Sequence, residues 1–261
     1  MDLENDITVT IADRVAVVTI NRPTKRNALN LAMWKRLRAI YTDLAARGEA
    51  RAVVLTGTGG HFCAGADISE FDSVRDDAES GRIYEEEAEA AVVAIRDWPG
   101  PTVAAISGYA MGGGCGLALS CDLRVGDATA KMGIPAARLG ILYGTLDCTL
   151  LYRQVGLANA KRVLYAARPF TAQECAQMGL LDIMVETDAL AAACALAADF
   201  ARNAPLTLRG SKTILEACAA GDAETRAAEI QDLIDTAMSS VDYAEGRRAF
   251  ADKRPPEFMG R

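Results

Sequence analysis

Two segments of the 261-residue sequence are dense in glycine, "TGTGGHFCAGADI" and "ISGYAMGGGCGLA". Each follows a short apolar run that reads as a buried strand, and each runs on into a helix. Glycine admits positive φ and lets a ligand approach the backbone closely. The first N–H groups of a helix have no partner within it and face incoming negative charge. Two such groups, one from each loop, would stabilise a developing oxyanion if they converged on one point. The same glycines would also serve tight packing where a helix crosses a strand. Neither segment contains G-x-G-x-x-G or G-K-[ST], which argues against a dinucleotide or P-loop site.

Other chemistry is limited by composition. The chain has one histidine, His61. A metal cluster or a Ser-His-Asp triad would have to use it, and no partner stands near it in sequence. The seven cysteines are odd in number, form no C-x-x-C and sit mostly in apolar surroundings. They read as buried free thiols of a reducing compartment. The start, "MDLENDITVT", is acidic and has no apolar h-region, so a cytoplasmic location is expected. A net charge of -7 argues against nucleic acid as the partner, though not against a small anion held by a few Lys or Arg. The uncharged stretch near 98–121 opens on Pro-Gly-Pro and is too rich in glycine for a membrane helix; strand, loop and helix fit it better.

The elements that must position the loops can be read from periodicity. "ITVTIADRVAVVTINRP" predicts a hairpin with its turn at Ala12-Asp13. Residues 27–47 predict a helix, with Leu31, Trp34, Leu37 and Tyr41 on one face. "RAVVL" and "TVAAIS" predict buried strands, and "LRVGDATAKMGIP" two small strands joined by a turn. Residues 69–82 are charged and non-periodic and read as a mobile surface segment. Residues 84–98 predict a helix with Ala88, Ala91, Val92 and Ile95 on one face, ended at Pro99. The run Glu85-Glu86-Glu87 would open that helix, where negative charge is favoured without any catalytic role. Strand, loop and helix thus recur, which implies an α/β core with a covered sheet. After about Ala197 three helices follow with no linker. The chain therefore divides into a core, 1–196, and a helical region, 197–261.

"INRPTKRNALN", "FCAGADISEF", "ISGYAMGGGCGLALSCDLRV", "FTAQECAQMGLLDIMV" and "DYAEGRRAFADKRPPEF" occur in that order. Together they resemble the crotonase superfamily, the enoyl-CoA hydratase/isomerase family, over nearly the whole chain. The resemblance implies a spiral of ββα units and a C-terminal helical trimerisation region, with trimers that often pair into hexamers. It implies an acyl-CoA thioester as substrate, with coenzyme A as part of that substrate and no separate cofactor. The oxyanion donors would be the N–H groups of Ala66 and Gly113. Ala64, Ala66, Asp67 and Ile68 would surround the adenine, and Lys25 and Arg26 the phosphates. Phe250 and Lys253 match a pair that in relatives reaches coenzyme A on an adjacent subunit. For Lys25, Arg26 and Lys253 a solvated surface charge is the competing reading.

The sequence departs from this pattern at two places. Hydratases of the family use two glutamates; here those positions are Gly116 and Ala136. A positioned acid or base contributes about 10² to 10⁴ in rate, so hydration without either is doubtful, and simple isomerisation with it. Tyr143 and Asp147 are the polar groups that follow. "ARLGILYG" resembles decarboxylase relatives that act on malonyl-type thioesters and carry a tyrosine there. Tyr143 would then supply a hydroxyl and Arg138 would contact an acid; alternatively Tyr143 is a pocket wall and Arg138 a surface residue. Asp147 would orient the Tyr143 region or cap a helix. Three readings stand: an enzyme resting on the oxyanion site and non-glutamate groups, a hydratase with an unplaced acid or base, and a non-catalytic acyl-CoA binder.

Overall fold

A computed structural model describes residues 6–74 and 76–261. Its strands are β1 (Ile7–Ala12), β2 (Val15–Ile20), β3 (Ala52–Gly57), β4 (Thr102–Ile106), β5 (Tyr109–Met111), β6 (Leu123–Gly126), β7 (Lys131–Gly133), β8 (Phe170–Thr171) and β9 (Ile183–Met184). Six form one sheet in the order β1-β2-β3-β4-β6-β9. Only its first pair is antiparallel; the others run parallel. The hairpin turn falls at Asp13 and Arg14, one residue later than expected, and both are left-handed. Strands β5, β7 and β8 make a second, small sheet. The two short strands read from "LRVGDATAKMGIP" therefore belong to different sheets.

The main sheet is apolar on both faces, as parallel sheets covered by helices are. One face carries Ala16, Val18, Val53, Leu55 and Ala104 into the larger core. Helix α1 (Leu31–Arg47) lies between β2 and β3 in the chain, and α2 (Phe71–Val74) and α3 (Ala78–Arg96) lie between β3 and β4. Of these, α1 and α3 pack on each other and bury Leu37, Tyr41, Ala91 and Ile95 in that core. Each fully buried Leu or Ile stabilises by about 1.5–3 kcal/mol. Helix α1 starts at Leu31 rather than Asn27, because the Asn30 side chain accepts from the Met33 N–H and caps it. Helix α3 starts six residues earlier than the apolar spacing suggests. Asp77 and Ser80 close a capping box there, so part of the expected mobile segment is helix. Glu85–Glu87 accordingly lie inside the helix, not at its opening. Arg75 of that segment lies outside the described residues.

Helices α4 (Gly113–Ser120), α5 (Ala136–Leu139), α6 (Thr145–Ala166), α7 (Ala172–Met178) and α8 (Ala189–Ala201) complete the core. The other sheet face, Val15, Ala52, Val54, Val103, Ala105 and Val125, is covered by Ala189, Ala193, Ala197 and Ala201 of α8. Their spacing of four places them on one stripe. A division at 196/197 thus runs through α8. The C-terminal region is α9 (Pro205–Ala220), α10 (Ala227–Ser239) and α11 (Val241–Asp252). Lys212 ties α9 to the core through Asp122, at 3.0 Å. No described helix is long and apolar enough to cross a membrane.

Candidate active site

The two glycine loops lie against each other. Cys63 accepts from the Met111 N–H and donates its own N–H to the Tyr109 carbonyl, each at 2.9 Å. This short ladder is possible because the second loop contains β5, a strand hidden in the sequence among glycines. The contact leaves no room for side chains. A Cβ at Gly114 would lie 2.2 Å from the Cys63 carbonyl oxygen. Gly65 has φ of +98°, and a Cβ there would lie 2.7 Å from the Met111 oxygen and 3.2 Å from the Gly113 nitrogen. Close packing of the two loops therefore requires glycine at both positions.

Ala66 is held from behind by Leu29. The Leu29 N–H donates to the Gly65 carbonyl and the Leu29 carbonyl accepts from the Asp67 N–H, both at 2.8 Å. In such a parallel bridge the residue between, Ala66, turns its own N–H away from Leu29. Gly113 is the first residue of α4, so its N–H has no partner within the helix. A Cβ at Gly113 would sit 3.9 Å from the Ala66 nitrogen. The two amides read from sequence are neighbours, at the positive end of a helix.

Gly116 lies in α4, one turn beyond Gly113, and has ordinary helical φ. A Cβ there would lie 3.3 Å from Asp147 Oδ1. The carboxylate of Asp147, in the first turn of α6, thus stands where a side chain at 116 would begin. It does not cap α6: Gly144 holds that position, with no side-chain cap. Burial pushes the Asp147 carboxyl up to about 6, and the charges of Glu85 and Glu89 add to the effect. Glu85, set aside in the sequence as a helix-opening charge, therefore acts on this group. Tyr143 Oη lies 3.4 Å from the Cβ position of Gly112, the residue before α4. Ala136 is buried. Arg138, on α5, is exposed.

Asp67 has both carboxylate oxygens engaged by its own chain. Arg22 reaches Oδ2 at 2.6 Å, and the Ser69 N–H and hydroxyl reach Oδ1. Burial opposes its ionisation, but the hydrogen bonds from Ser69 and Arg22 outweigh it and hold the carboxyl below its ordinary value. Arg22 was missed in the sequence, although it lies in "INRP". Lys25 Nζ lies 3.3 Å from Ser69 Oγ, so Lys25, Asp67 and Ile68 are gathered together. Ala64 donates its N–H to the Arg26 carbonyl, and the Arg26 guanidinium lies 5.4 Å from the Tyr109 ring centre. Lys131 is on the same ring at 5.5 Å. His61 tilts against Tyr109 and accepts from its N–H at 3.4 Å; burial, with Arg26, lowers its pKa. Among the described residues no group of three or more His, Cys, Asp or Glu is placed to hold a metal. All seven cysteines are free, and burial pushes the Cys63 thiol up to about 12.

Phe250 and Lys253 are at the end of α11. Phe250 is 88% exposed and borders a groove of about 550 Å³ with Met238, Tyr243 and Phe258. Lys253 is the left-handed residue that ends the helix.

Comparison with known proteins agrees with this architecture. The family model described as enoyl-CoA hydratase/isomerase matches residues 10–261. The 2,3-dehydroadipyl-CoA hydratase of Escherichia coli (strain K12) is 33% identical over 258 residues, covering 98% of this chain and 100% of that protein. The short-chain-enoyl-CoA hydratase of Clostridium acetobutylicum is 32% identical, covering 97% of each. Among solved structures, an enoyl-CoA hydratase/isomerase family protein from Hyphomonas neptunium has a TM-score of 0.94 at 34% identity, with 100% of both chains covered. The match runs from the hairpin through the paired glycine loops to the C-terminal helices, and this chain belongs to the enoyl-CoA hydratase/isomerase family of the crotonase superfamily.

Proposed function

We propose that this protein binds an acyl-CoA thioester, stabilises its enolate at the N–H groups of Ala66 and Gly113, and moves the α-proton with Asp147. The observation that carries this reading is the position of Asp147 Oδ1, 3.3 Å from the Cβ position of Gly116 and so one helical turn from the Gly113 donor. Removing a proton from the carbon beside the carbonyl pushes its electron pair onto the thioester oxygen. The two N–H groups and the positive end of α4 meet that charge as it develops. The base must hold its proton loosely near neutral pH, and a carboxyl near 6 is matched to that task. Tyr143, beside Gly112, lines the same space and orients the acyl group. Coenzyme A is part of the substrate, its phosphates drawn to Lys25 and Arg26 and its adenine to the backbone at Ala64 and Ile68. Asp67 supports that surface through Arg22 rather than by contact. Phe250 and Lys253 meet coenzyme A across a subunit boundary in a trimer or dimer of trimers.

Hydration is slow in this reading, because neither Gly116 nor Ala136 can activate water. Decarboxylation of a malonyl-type thioester is less favoured. It would bring a second carboxylate toward Asp147, Glu85 and Glu89, while Arg138, its candidate partner, faces solvent. A non-catalytic binder would gain nothing from a carboxylate held unfavourably beside the oxyanion donors.

The test is deuterium uptake from heavy water at Cα of butyryl-CoA, read by mass spectrometry. The wild type is expected to exchange, and Asp147→Asn to exchange about 10² to 10⁴ times more slowly. Equal rates in the two proteins, or no exchange by a wild type that binds the thioester, would sink the reading.

A further inference from the structure

Behind the two amides runs a connection that joins them. The Trp34 ring, in α1, packs on the face of α4: a Cβ at Gly113 would lie 3.2 Å from its ring carbons. The indole Nε1–H donates to Tyr84 Oη, in α3, at 2.9 Å. Tyr84 Oη donates in turn to the Leu29 carbonyl at 3.4 Å. Leu29 is the residue bridged to Ala66. The path from Gly113 to Ala66 therefore passes through Trp34, Tyr84 and Leu29. Trp34 and Tyr84 are each 2% exposed, and Leu29 is fully buried. Phe71 packs edge-on against the Tyr84 ring, at 5.9 Å between ring centres.

We infer that Trp34 and Tyr84 are positioning residues that hold the Gly113 and Ala66 N–H groups at a fixed separation. This rests on the oxyanion reading proposed above. The physical reason is that the donors come from two separate loops, and one oxygen profits from both only if their spacing is held. Ladder bonds between the loops fix them along the strand direction. The Trp34–Tyr84 hydrogen bond fixes α1 to α3, and with them the backing of α4 and of Leu29, from the side facing the core. Losing one oxyanion donor costs about 10² to 10³ in rate, and a misplacement near 1 Å can cost about 10². Tyr84→Phe keeps the ring and removes the hydroxyl. It leaves the indole N–H buried without this acceptor and frees α1 to shift against α3.

The test separates position from stability. Wild type, Tyr84→Phe, Trp34→Phe and the double variant are each titrated with the coenzyme A thioester of 4-(dimethylamino)cinnamic acid. Its absorption moves to longer wavelength as its carbonyl is polarised. Thermal unfolding and Cα exchange of butyryl-CoA are measured on the same samples. In the wild type the bound probe shifts to the red. In Tyr84→Phe most of that shift is lost, exchange turnover falls about 10- to 100-fold, and KM stays within about threefold. The double variant removes the indole N–H that Tyr84→Phe leaves without this acceptor, so it regains thermal stability over Tyr84→Phe while the shift stays lost. If Tyr84→Phe does not fold, Trp34→Phe and the double variant carry the same comparison. A full red shift in any folded variant lacking the hydrogen bond overturns the inference, as does a double variant that regains shift and turnover together with stability. If the wild type binds the probe without a red shift, the oxyanion reading itself fails and takes this inference with it.

Discussion

Replacing Asp147 with asparagine should make the protein more stable and less active, and the gain in stability should appear only above acidic pH. An unhindered aspartate ionises near 3.8, and burial, helped by Glu85 and Glu89, raises Asp147 to about 6. Below pH 3.8 the carboxyl is protonated in the folded and unfolded chains alike, and no penalty arises. As pH climbs through the folded value, the unfolded chain releases its proton freely while the folded chain must hold a buried charge. The stability present at low pH is therefore lost across roughly pH 4 to 6, and the loss is constant above it. A separation of roughly two pH units, at about 1.4 kcal/mol each, amounts to about 3 kcal/mol. Asparagine has no proton to lose, so the variant should overtake the wild type by up to about 3 kcal/mol near neutral pH. Urea unfolding at fixed protein concentration, repeated from about pH 4 to about pH 7.5, measures the gap directly. A gap that is flat across this range, or that widens toward acid, would refute the argument. In the wild type, kcat/KM for Cα exchange should rise through about pH 6, and in Asp147→Asn that rise should vanish.

Crotonyl-CoA hydration by the wild type should run well below the roughly 10 s⁻¹ of a typical enzyme, and ordinary turnover would show that another group activates water. Gly116→Glu has no backbone strain to overcome, but it sets a second carboxylate against Asp147. It should lose stability as pH rises, and adding Asp147→Asn should reduce that pH dependence by removing one of the two facing carboxylates; denaturant midpoints at two pH values decide. Arg22→Ala should cost about 3 kcal/mol, because buried Asp67 would lose its partner at 2.6 Å and keep only Lys25, at 4.0 Å, as a cation. An unmoved thermal midpoint would mean that water or Lys25 replaces the guanidinium. Light scattering at micromolar concentration should give the mass of a trimer or a dimer of trimers, and a monomer would contradict the proposed role of Phe250 and Lys253.

Strands β3 and β4 were readable because they are continuous apolar runs, β1 and β2 because β-branched residues alternate on either side of a turn, and α1 because its large side chains recur on one face; β9, two residues long, carries no such pattern. Helix α8 escaped because "ALAAACALAADFA" offers no contrast between a polar and an apolar face. The first turns of α3 escaped because their signal is a capping pair, Asp77 and Ser80, set in a charged stretch. Strand β5 escaped because three residues between glycines carry no periodicity. At the site, Ala66, Gly113, Tyr143 and Asp147 could be chosen by type and by resemblance. That Asp147 fills the space beside Gly116, or that Arg22 holds Asp67, is a matter of contact between distant segments. Pairings of this kind leave no trace in the local pattern of either partner. The bond between Trp34 and Tyr84 is the extreme case, since each residue reads alone as ordinary core.

The two faces of the main sheet are closed by parts of the chain made at very different times. Helices α1 and α3 are synthesised among the strands they cover, so that side can assemble as the chain lengthens. The other side depends on α8, whose last residue is Ala201, far behind Val15, Ala52 and Val103. Until α8 docks, the apolar stripe of Val15, Val54, Val103 and Val125 stays in water, next to other chains in the same condition. The spacing of the two glycine loops rests on that sheet. A nascent chain stalled or cut before α8 would hold nearly every residue of the site and still be an aggregation hazard, with its last folding step a long-range and therefore slow one.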